Sequence, residues 1–383
     1  MRISRRSDVD PFIVMDVMEA ARQKEAEGRV IIHMEVGQPA SSAPKGALAA
    51  LNAAMMENPL GYTVAQGRPD LRARISQLYR EWYDVDVAPE RILVTAGSSA
   101  GFQLAFTALF DQGERVAVGD PGYPSYRNTL KALSLEPVPI ETHAQNRFQP
   151  TPDDVSALPD LAGLLVASPA NPTGTMLDRT ALEALIATCH DRDIAFISDE
   201  IYHGIQYDSR AISALEISDD VVVINSFSKY FSMTGWRIGW MVLPESHVRQ
   251  FERLAQNMFI CAPHASQIAA LAAMDCKDEL AANLAGYAHN RDLMLQGLPK
   301  AGFERIAPPD GAFYIYADVS GITNDSAALA RQILEEAGVA VTPGLDFDPK
   351  RGHQSLRFSY AGSSRDIAEG LRRLEVFMAR RQS

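Results

Sequence analysis

The stretch Ser226–Gly239 reads SFSKYFSMTGWRIG and places one lysine, Lys229, among small hydroxyl residues and glycines. A β-branched run, Val221–Ile224, precedes it, and a second apolar run, Ile238–Leu243, follows it. This pattern predicts a buried strand, a turn that carries Lys229, and a second strand that begins near Arg237. The lysine is therefore expected at the end of a buried strand, where its solvation is poor.

A lysine in such a place is a candidate nucleophile. Poor solvation lowers the pKa of a lysine ammonium below its usual value of about 10.4, so more of the amine is neutral. A neutral amine forms Schiff bases with aldehydes, including aldehyde cofactors. The alternative is a surface lysine on a polar loop, and the other motifs of the chain decide between the two.

Composition excludes several classes of protein. The chain has 383 residues, of which 46% are hydrophobic and 22% charged, so it is long enough for a large core and more than one domain. Its net charge of −12 makes nucleic acid a poor partner. The apolar runs are too short to span a membrane and the N-terminus has no signal-peptide pattern. Three scattered cysteines without a CxxC pair indicate reduced thiols, and hence a cytoplasmic protein.

A phosphate site is predicted after the strand Arg91–Thr95. A loop of small residues follows this strand and leads into a helical run. The loop residues are Gly97, Ser98 and Ser99. Free amides at a helix N-terminus and the positive end of its dipole favour an anion, and the serines add hydroxyl donors. With Ser226 and Arg237 as further donors, the pattern indicates a phosphate cup.

Polar side chains also follow two apolar strands, Leu161–Ala167 and Ile194–Ser198. Asn171 comes after the first strand, and Asp199 and Tyr202 come after the second. Open α/β sheets bind ligands at the carboxyl ends of their parallel strands, so these side chains are expected at one site. A buried carboxylate without a partner is costly, so Asp199 is expected to have a cationic or hydrogen-bonding partner at this site.

An arginine interrupts the apolar strand Ser355–Ser359. Arg357 is expected to face an anion, because a guanidinium inside a strand that is apolar on both sides needs a counter-charge. Its planar donors suit a carboxylate. A structural salt bridge is the alternative.

The segment around Lys229 resembles the pyridoxal-phosphate attachment site of class I/II aminotransferases, in the fold-type I (aspartate aminotransferase) superfamily. The matching positions are Ser226, Ser228, Lys229, Arg237, Ile238 and Gly239. Further motifs follow the family order from Gly37 to Arg357, nearly the whole chain. The resemblance implies a mostly parallel central sheet flanked by helices, and a smaller α+β domain built from the C-terminal part and the N-terminal segment. The expected boundaries are 1–44 for the arm and N-terminal segment, 45–276 for the large domain and 277–383 for the small domain.

The same resemblance implies roles for individual residues. Lys229 would hold pyridoxal 5′-phosphate as an internal aldimine, Asp199 would pair with the ring nitrogen, and Tyr202 would bond the phenolic oxygen. The other expected cofactor contacts are Gly97, Ser98, Ser99, Tyr123 stacked on the ring, Asn171, Ser226 and Arg237. Gly37, Asn171 and Arg357 would bind the substrate carboxylate. Tyr62 would reach the cofactor phosphate of the partner subunit in a homodimer with shared active sites.

The activity implied is transfer of an amino group between an L-amino acid and a 2-oxo acid, with pyridoxamine phosphate as the intermediate form of the cofactor. A β-eliminating lyase on the same scaffold is the first alternative, because fold and cofactor do not separate the two. A regulator that binds pyridoxal phosphate beside a DNA-binding domain is a remote alternative, since residues 1–30 are too few for such a module. No metal site is expected, because the eight histidines lack ligand spacing.

The substrate side chain is left open by the sequence. A dicarboxylate would need a second cation, and the possible sources are Arg68, Lys45 and Lys350. An apolar pocket would instead use aromatic residues such as Phe12, Tyr126 and Phe313.

Overall fold

The computed structural model describes residues 1–382, and within that range the chain alternates helices and strands. The α-helices are α1 (Ile13–Ala26), α2 (Lys45–Glu57), α3 (Pro69–Tyr83), α4 (Ser98–Leu109), α5 (Pro124–Ala132), α6 (Pro152–Ser156), α7 (Arg179–Asp191), α8 (Val248–Met258), α9 (His264–Ala273), α10 (Lys277–Lys300), α11 (Ser326–Gln332) and α12 (Ser364–Gln382). The strands are β1 (Ile32–His33), β2 (Ile92–Thr95), β3 (Arg115–Asp120), β4 (Glu136–Glu141), β5 (Leu161–Ala167), β6 (Ala195–Asp199), β7 (Val222–Ser226), β8 (Gly239–Val242), β9 (Arg305–Ile306), β10 (Tyr314–Asp318), β11 (Val339–Ala340), β12 (Thr342–Pro343) and β13 (Ser355–Ser359).

The large sheet has seven strands in the order β2-β8-β7-β6-β5-β3-β4. Only β8 runs against its neighbours, and it is antiparallel to both β2 and β7. Apolar side chains of both faces pack under helices, in two separate buried clusters. The carboxyl ends of the parallel strands therefore meet the start of β8 at one edge. The predicted mostly parallel sheet flanked by helices is confirmed.

The small sheet is antiparallel, in the order β12-β13-β10-β9. The N-terminal strand β1 pairs in parallel with β11, with Ile32 opposite Val339, so the N-terminal segment is part of this smaller unit as expected. Helix α10 leads from the large sheet into the small one, and α12 packs along α10. The residue boundaries of the two domains stay a prediction.

Two short helical segments complete the description. Helix α6 lies between β4 and β5. Thr151 and Asp154 cap this short helix reciprocally, and Pro152 stands in its first turn. Helix α11 ends at Gln332 and continues as a π-helical turn, Ile333–Ala337.

The N-terminal helix is tied to the rest of the molecule by one carboxylate. Asp346, just after β12, accepts hydrogen bonds from the backbone amides of Ile13 (2.9 Å) and Val14 (3.2 Å). These amides open α1 and have no partner within the helix. Asp10 adds an ion pair to Lys131 of α5 at 2.8 Å. The segment before α1, expected as an extended arm, is thereby held across α5.

Within residues 1–382, no helix combines the length and the apolar composition that a membrane crossing needs. Cys189, Cys261 and Cys276 are all free thiols.

Candidate active site

A cavity of about 210 Å³ lies at the carboxyl edge of the large sheet, facing the small sheet. It is lined by most of the residues that the sequence assigned to the site: Gly37, Ser98, Ser99, Tyr123, Asn171, Asp199, Tyr202, Lys229, Arg237 and Arg357. Three predicted residues, Gly97, Ser226 and Tyr62, are not in its lining. The strand-end motifs therefore converge on one site.

The predicted phosphate cup is built from the start of α4 and the turn before β8. Gly97 has φ +79°, and a Cβ there would overlap the guanidinium of Arg237. Only glycine therefore lets the backbone approach this arginine so closely. Arg237 is exposed, and its Nη1 donates to the carbonyl of Thr234 at 2.9 Å. Ser226 lies behind this surface, where its hydroxyl is 2.8 Å from that of Ser228. Ser228 lines the cavity in its place.

The amine of Lys229 is held inside the cavity. Its Nζ donates a hydrogen bond to the carbonyl of Gly37 at 2.6 Å. Burial, together with the positive charges of Arg357 and Arg237, lowers the pKa of Lys229 to about 8, and the Asp199 carboxylate opposes the shift. A substantial fraction of the amine is therefore neutral near physiological pH.

Asp199 ends β6 with both carboxylate oxygens occupied by donors. Oδ1 accepts from the amide of Ile201 at 3.0 Å, and Oδ2 accepts from the hydroxyl of Tyr126 on α5. Burial raises the pKa of Asp199 to about 6, while the two donors favour the charged form. The group is poised to hold a cationic partner.

Arg357 enters the cavity from β13 of the small sheet and is 3% exposed. Its Nη1 donates to Oδ1 of Asn171 at 2.9 Å, and its Nη2 donates to the carbonyl of Glu35. Its Nε is buried and has no partner within the chain. A buried donor without an acceptor is unfavourable by about 1–3 kcal/mol, so this position suits an anionic ligand. No carboxylate side chain pairs with Arg357 among the ion pairs of the described residues, which disfavours the structural salt bridge.

Aromatic side chains close two sides of the cavity. Tyr123 precedes α5 and is half-buried, with its ring 5.8 Å from that of Phe12 in an edge-to-face arrangement. Tyr202 is buried, and its hydroxyl lies 2.7 Å from that of Tyr314 in β10. The predicted aromatic neighbour Phe313 packs behind Tyr202 at 5.6 Å and does not line the cavity.

Tyr62 lies outside the cavity on a loop that α9 holds in place. The Gln267 side chain bonds the amide of Arg68 at 2.7 Å and the hydroxyl of Thr63 at 3.0 Å. His264 contacts the carbonyl of Gly61 at 2.8 Å. The Tyr62 side chain is nevertheless 82% exposed, so a fixed loop presents an aromatic ring to solvent.

Sequence reasoning missed several lining residues. Ile201 lies two positions after Asp199, and Tyr314 stands next to Phe313, so closeness in sequence to a predicted residue was the available signal for both. Val14 and Met15 come from α1, and no motif in the sequence assigns that helix to the site.

The donor set fits pyridoxal phosphate. Ser98, Ser99 and Arg237 would hold its phosphate, the buried carboxylate of Asp199 would hold its ring nitrogen, and Lys229 would bond its aldehyde carbon. The glycine-only space at Gly97 and the lowered pKa of Lys229 are independent of any resemblance. Within residues 1–382, no cluster of histidine, cysteine or carboxylate side chains has the geometry of a metal site.

Fold and site together define an enzyme of the pyridoxal-phosphate class, and comparisons with known proteins give its family. Residues 29–374 match the model of the family "Aminotransferase class I and II", to which the chain belongs. It is 47% identical to a valine–pyruvate aminotransferase of Mycobacterium tuberculosis, over 97% of each chain. Its fold matches the crystal structure of an aminotransferase from M. tuberculosis with TM-score 0.97 and 46% identity, over 99% of this chain and 100% of that one. An aspartate aminotransferase from Thermus thermophilus matches with TM-score 0.92 and 30% identity, over 98% and 100%.

The protein is thus a pyridoxal-phosphate-dependent aminotransferase that moves amino groups between amino acids and 2-oxo acids. The predicted class, cofactor and reaction are confirmed. The roles of individual site residues remain proposals.

Proposed function

We propose that this aminotransferase takes aliphatic monocarboxylic L-amino acids, with valine as the first candidate, and passes the amino group to a small 2-oxo acid such as pyruvate. The observation that supports this substrate class is the small number of cationic side chains in the cavity. Its cationic side chains, among the described residues, are Lys229, Arg237 and Arg357. Each would serve the aldehyde, the phosphate or the α-carboxylate, so none would be left for a second carboxylate.

None of the three cations considered for a dicarboxylate substrate lines the cavity. Arg68 pairs with Asp70, Lys350 pairs with Glu141 at 3.0 Å, and Lys45 is not in the cavity lining. Apolar side chains also line the cavity. They include Phe12, Val14, Met15 and Ile201, which would meet an aliphatic substrate side chain. The name of the 47% identical relative, a valine–pyruvate aminotransferase, supports the same substrate class.

The site residues would have separate roles in the reaction. Arg357 and the Gly37 backbone would orient the substrate carboxylate, with Asn171 fixing the guanidinium. Pyridoxal phosphate, when bound, supplies an electron-withdrawing ring for the electrons of the broken Cα–H bond. Lys229 Nζ would take the proton from the substrate Cα and return it to the cofactor's C4′ carbon, as general base and then acid. Asp199 would keep the ring nitrogen protonated.

The test is an absorbance titration of the purified holoenzyme with single L-amino acids and no oxo acid. Valine and its aliphatic analogues are expected to convert the cofactor to its pyridoxamine form, one equivalent per site, at lower concentrations than aspartate. A preference for aspartate or glutamate would refute the proposed substrate class. Continued release of ammonia and oxo acid over many turnovers would instead favour the lyase.

We also propose that the enzyme is a homodimer in which Tyr62 contacts the cofactor phosphate of the partner subunit. Tyr62 belongs to a set of exposed large apolar side chains around the α2 and α9 region: Leu48, Met55, Met56, Val64, Met258 and Ile260. Exposed apolar surface of this kind is typical of protein interfaces. Sedimentation of the holoenzyme as a monomer with full activity would contradict the dimer.

We further propose a cytoplasmic location. Three free cysteines in one chain are typical of a reducing compartment. Cell fractionation with an antibody to the protein would test this, and recovery in a secreted fraction would contradict it.

A further inference from the structure

Tyr314 contacts three parts of the site at once. It lies in β10 and is 1% exposed. Its hydroxyl is 2.7 Å from the hydroxyl of Tyr202, and its ring lies under the guanidinium of Arg357, whose Cζ is 4.5 Å from the ring centroid. The hydroxyl also occupies the space next to Gly37, where any Cβ would overlap it. The side chain therefore joins the residue proposed for the cofactor oxygen to the residue proposed for the substrate carboxylate.

The direction of the hydroxyl contact follows from counting protons. A tyrosine hydroxyl has one proton to donate. If Tyr202 donates its proton to the cofactor's phenolic oxygen, its own oxygen must accept from Tyr314. Tyr314 then donates and polarises Tyr202, because hydrogen bonds in a chain strengthen one another where water is excluded. Tyr202 becomes a better donor to the cofactor oxygen than it would be alone.

The ring contact fixes the plane of the arginine. Arg357 lies between two aromatic rings, with its Cζ 4.5 Å from the Tyr314 centroid and 4.6 Å from the Phe347 centroid. A cation over an aromatic face is stabilised by the ring quadrupole, and more strongly when the pair is shielded from water. The two rings restrict the rotation of the guanidinium, and its buried Nε keeps a donor that no group of the chain accepts from.

We propose that Tyr314 is a positioning residue with two separable parts: its hydroxyl donates to Tyr202 and so tunes the cofactor oxygen, and its ring orients Arg357 for the substrate carboxylate. The proposal rests on the proposed roles of Tyr202 and Arg357. It predicts that removing the hydroxyl alone and removing the ring change different measurements.

The hydroxyl is tested by the pH at which the absorbance of the bound cofactor changes in the holoenzyme without substrate. Tyr314→Phe is expected to raise this midpoint by roughly half a pH unit, because a hydrogen bond of about 0.5–1.5 kcal/mol that favours the deprotonated chromophore is weakened. Tyr202→Phe is expected to raise it more. In the double variant, Tyr314→Phe is expected to add nothing to the effect of Tyr202→Phe.

The ring is tested with 3-methylbutanoate, a carboxylic acid that lacks the amino group, as a competitive inhibitor. Tyr314→Phe is expected to leave its inhibition constant within about twofold of wild type. Tyr314→Leu is expected to raise it by roughly three- to tenfold, since the cation–π contact is lost. Tyr207→Phe is the matched control, because it removes a hydroxyl that donates to the carbonyl of Ala312 at 2.6 Å in the same region without touching Tyr202.

The possible results distinguish a wrong role for Tyr314 from a wrong assignment of the site residues on which that role rests. If Tyr202→Phe moves the midpoint and Tyr314→Phe does not, or if the two effects add, the role of the Tyr314 hydroxyl is refuted while the site assignment stands. If neither variant changes the midpoint pH, the proposed role of Tyr202 at the cofactor oxygen is refuted. The role of the Tyr314 hydroxyl, which rests on it, is then refuted as well. An unchanged inhibition constant in Tyr314→Leu refutes the role of the ring. A shift of similar size in Tyr207→Phe would mean that loss of any such hydroxyl explains the result.

Discussion

The hydroxyl of Tyr126 donates a hydrogen bond to the carboxylate of Asp199. Tyr126 lies on α5, 73 residues before Asp199 in the chain. The contact is buried at both ends, so no solvent replaces it. It opposes the effect of burial, which alone would favour the neutral acid. Tyr126 is thus placed to keep Asp199 charged for its partner.

Replacing Tyr126 by phenylalanine is expected to lower kcat and shift the acid limb of the pH–rate profile to higher pH. A hydrogen bond to a charged group contributes about 1.5–3 kcal/mol, so a loss of roughly tenfold in kcat at neutral pH is expected. The measurement is kcat from pH 6 to 9. Tyr79→Phe serves as control, since its hydroxyl contacts Trp240 in the core and not the cavity. An unchanged profile in Tyr126→Phe would contradict the assignment.

The lowered pKa of Lys229 gives a second prediction, for the cofactor-free protein. The neutral amine is the nucleophile, and its fraction rises as the pH passes the pKa of about 8. The rate at which pyridoxal phosphate is bound covalently should therefore rise with pH and level off above that value. Stopped-flow absorbance measures the rate. A rate still rising steeply near pH 10 would indicate an ordinary lysine.

Substitution tests the identity of this lysine. Lys229→Ala is expected to lose cofactor that borohydride can trap, together with turnover. Lys350→Ala is the matched control, because that lysine pairs with Glu141 on the surface. Retained trapping and turnover in Lys229→Ala would show that another amine holds the cofactor.

The cross-subunit role of Tyr62 predicts recovery of activity in mixed dimers. In a dimer of one Lys229→Ala chain and one Tyr62→Phe chain, the intact lysine lies in the Tyr62→Phe subunit. Its partner still carries Tyr62, so this site should bind the cofactor with wild-type affinity and give about half the wild-type activity per dimer. Titration with pyridoxal phosphate measures that affinity. If the mixed dimer keeps the weak binding of the Tyr62→Phe homodimer, Tyr62 acts within its own chain.

Glu200, beside Asp199, gives a prediction about stability. It is fully buried, and burial raises its pKa to about 8, against hydrogen bonds from Ser198, Ser213 and the Ala214 amide. The native state thus keeps a proton that the unfolded chain releases near pH 4.5, so the free energy of unfolding should fall between about pH 4.5 and 8.

The Glu200→Gln variant should flatten that dependence. Its melting temperature is expected to fall less than that of the wild type as the pH is raised from 5.5 to 8.5. Glu183→Gln, on an exposed part of α7, should follow the wild-type curve. Parallel curves for Glu200→Gln and wild type would mean that Glu200 is ionised in the native state across this range.

The sequence predicted the positions of those site residues that come directly after a strand. Asn171 and Asp199 were assigned to one edge because parallel strands end together, and the pairing of Ala167 with Asp199 confirms that β5 and β6 are aligned there. Local patterns of this kind depend only on strand direction. They do not depend on how helices pack.

Strand direction does not predict residues that reach the site from another layer. Phe12 and Tyr126 were named only as possible aromatic neighbours, and both line the cavity. Tyr126 lies on α5, where its spacing equally fits a core position, and its partner is fixed only by how α5 packs on the sheet. Tyr314 depends on the orientation of the small sheet against the large one. Phe12 and Met15 depend on how Asp346 holds α1. These contacts follow from tertiary packing, which leaves no periodic trace in the sequence.

The bonds from Asp346 to α1 also bear on how this enzyme could change its substrate. They end on backbone amides, so they do not depend on which side chains stand at the start of the helix. Phe12 and Met15 can therefore vary without releasing the helix, while Lys229, Asp199 and the phosphate cup stay untouched. The part of the cavity lining that is proposed to meet the amino-acid side chain can therefore change independently of the catalytic residues, and a new amino-donor preference could evolve by substitutions there.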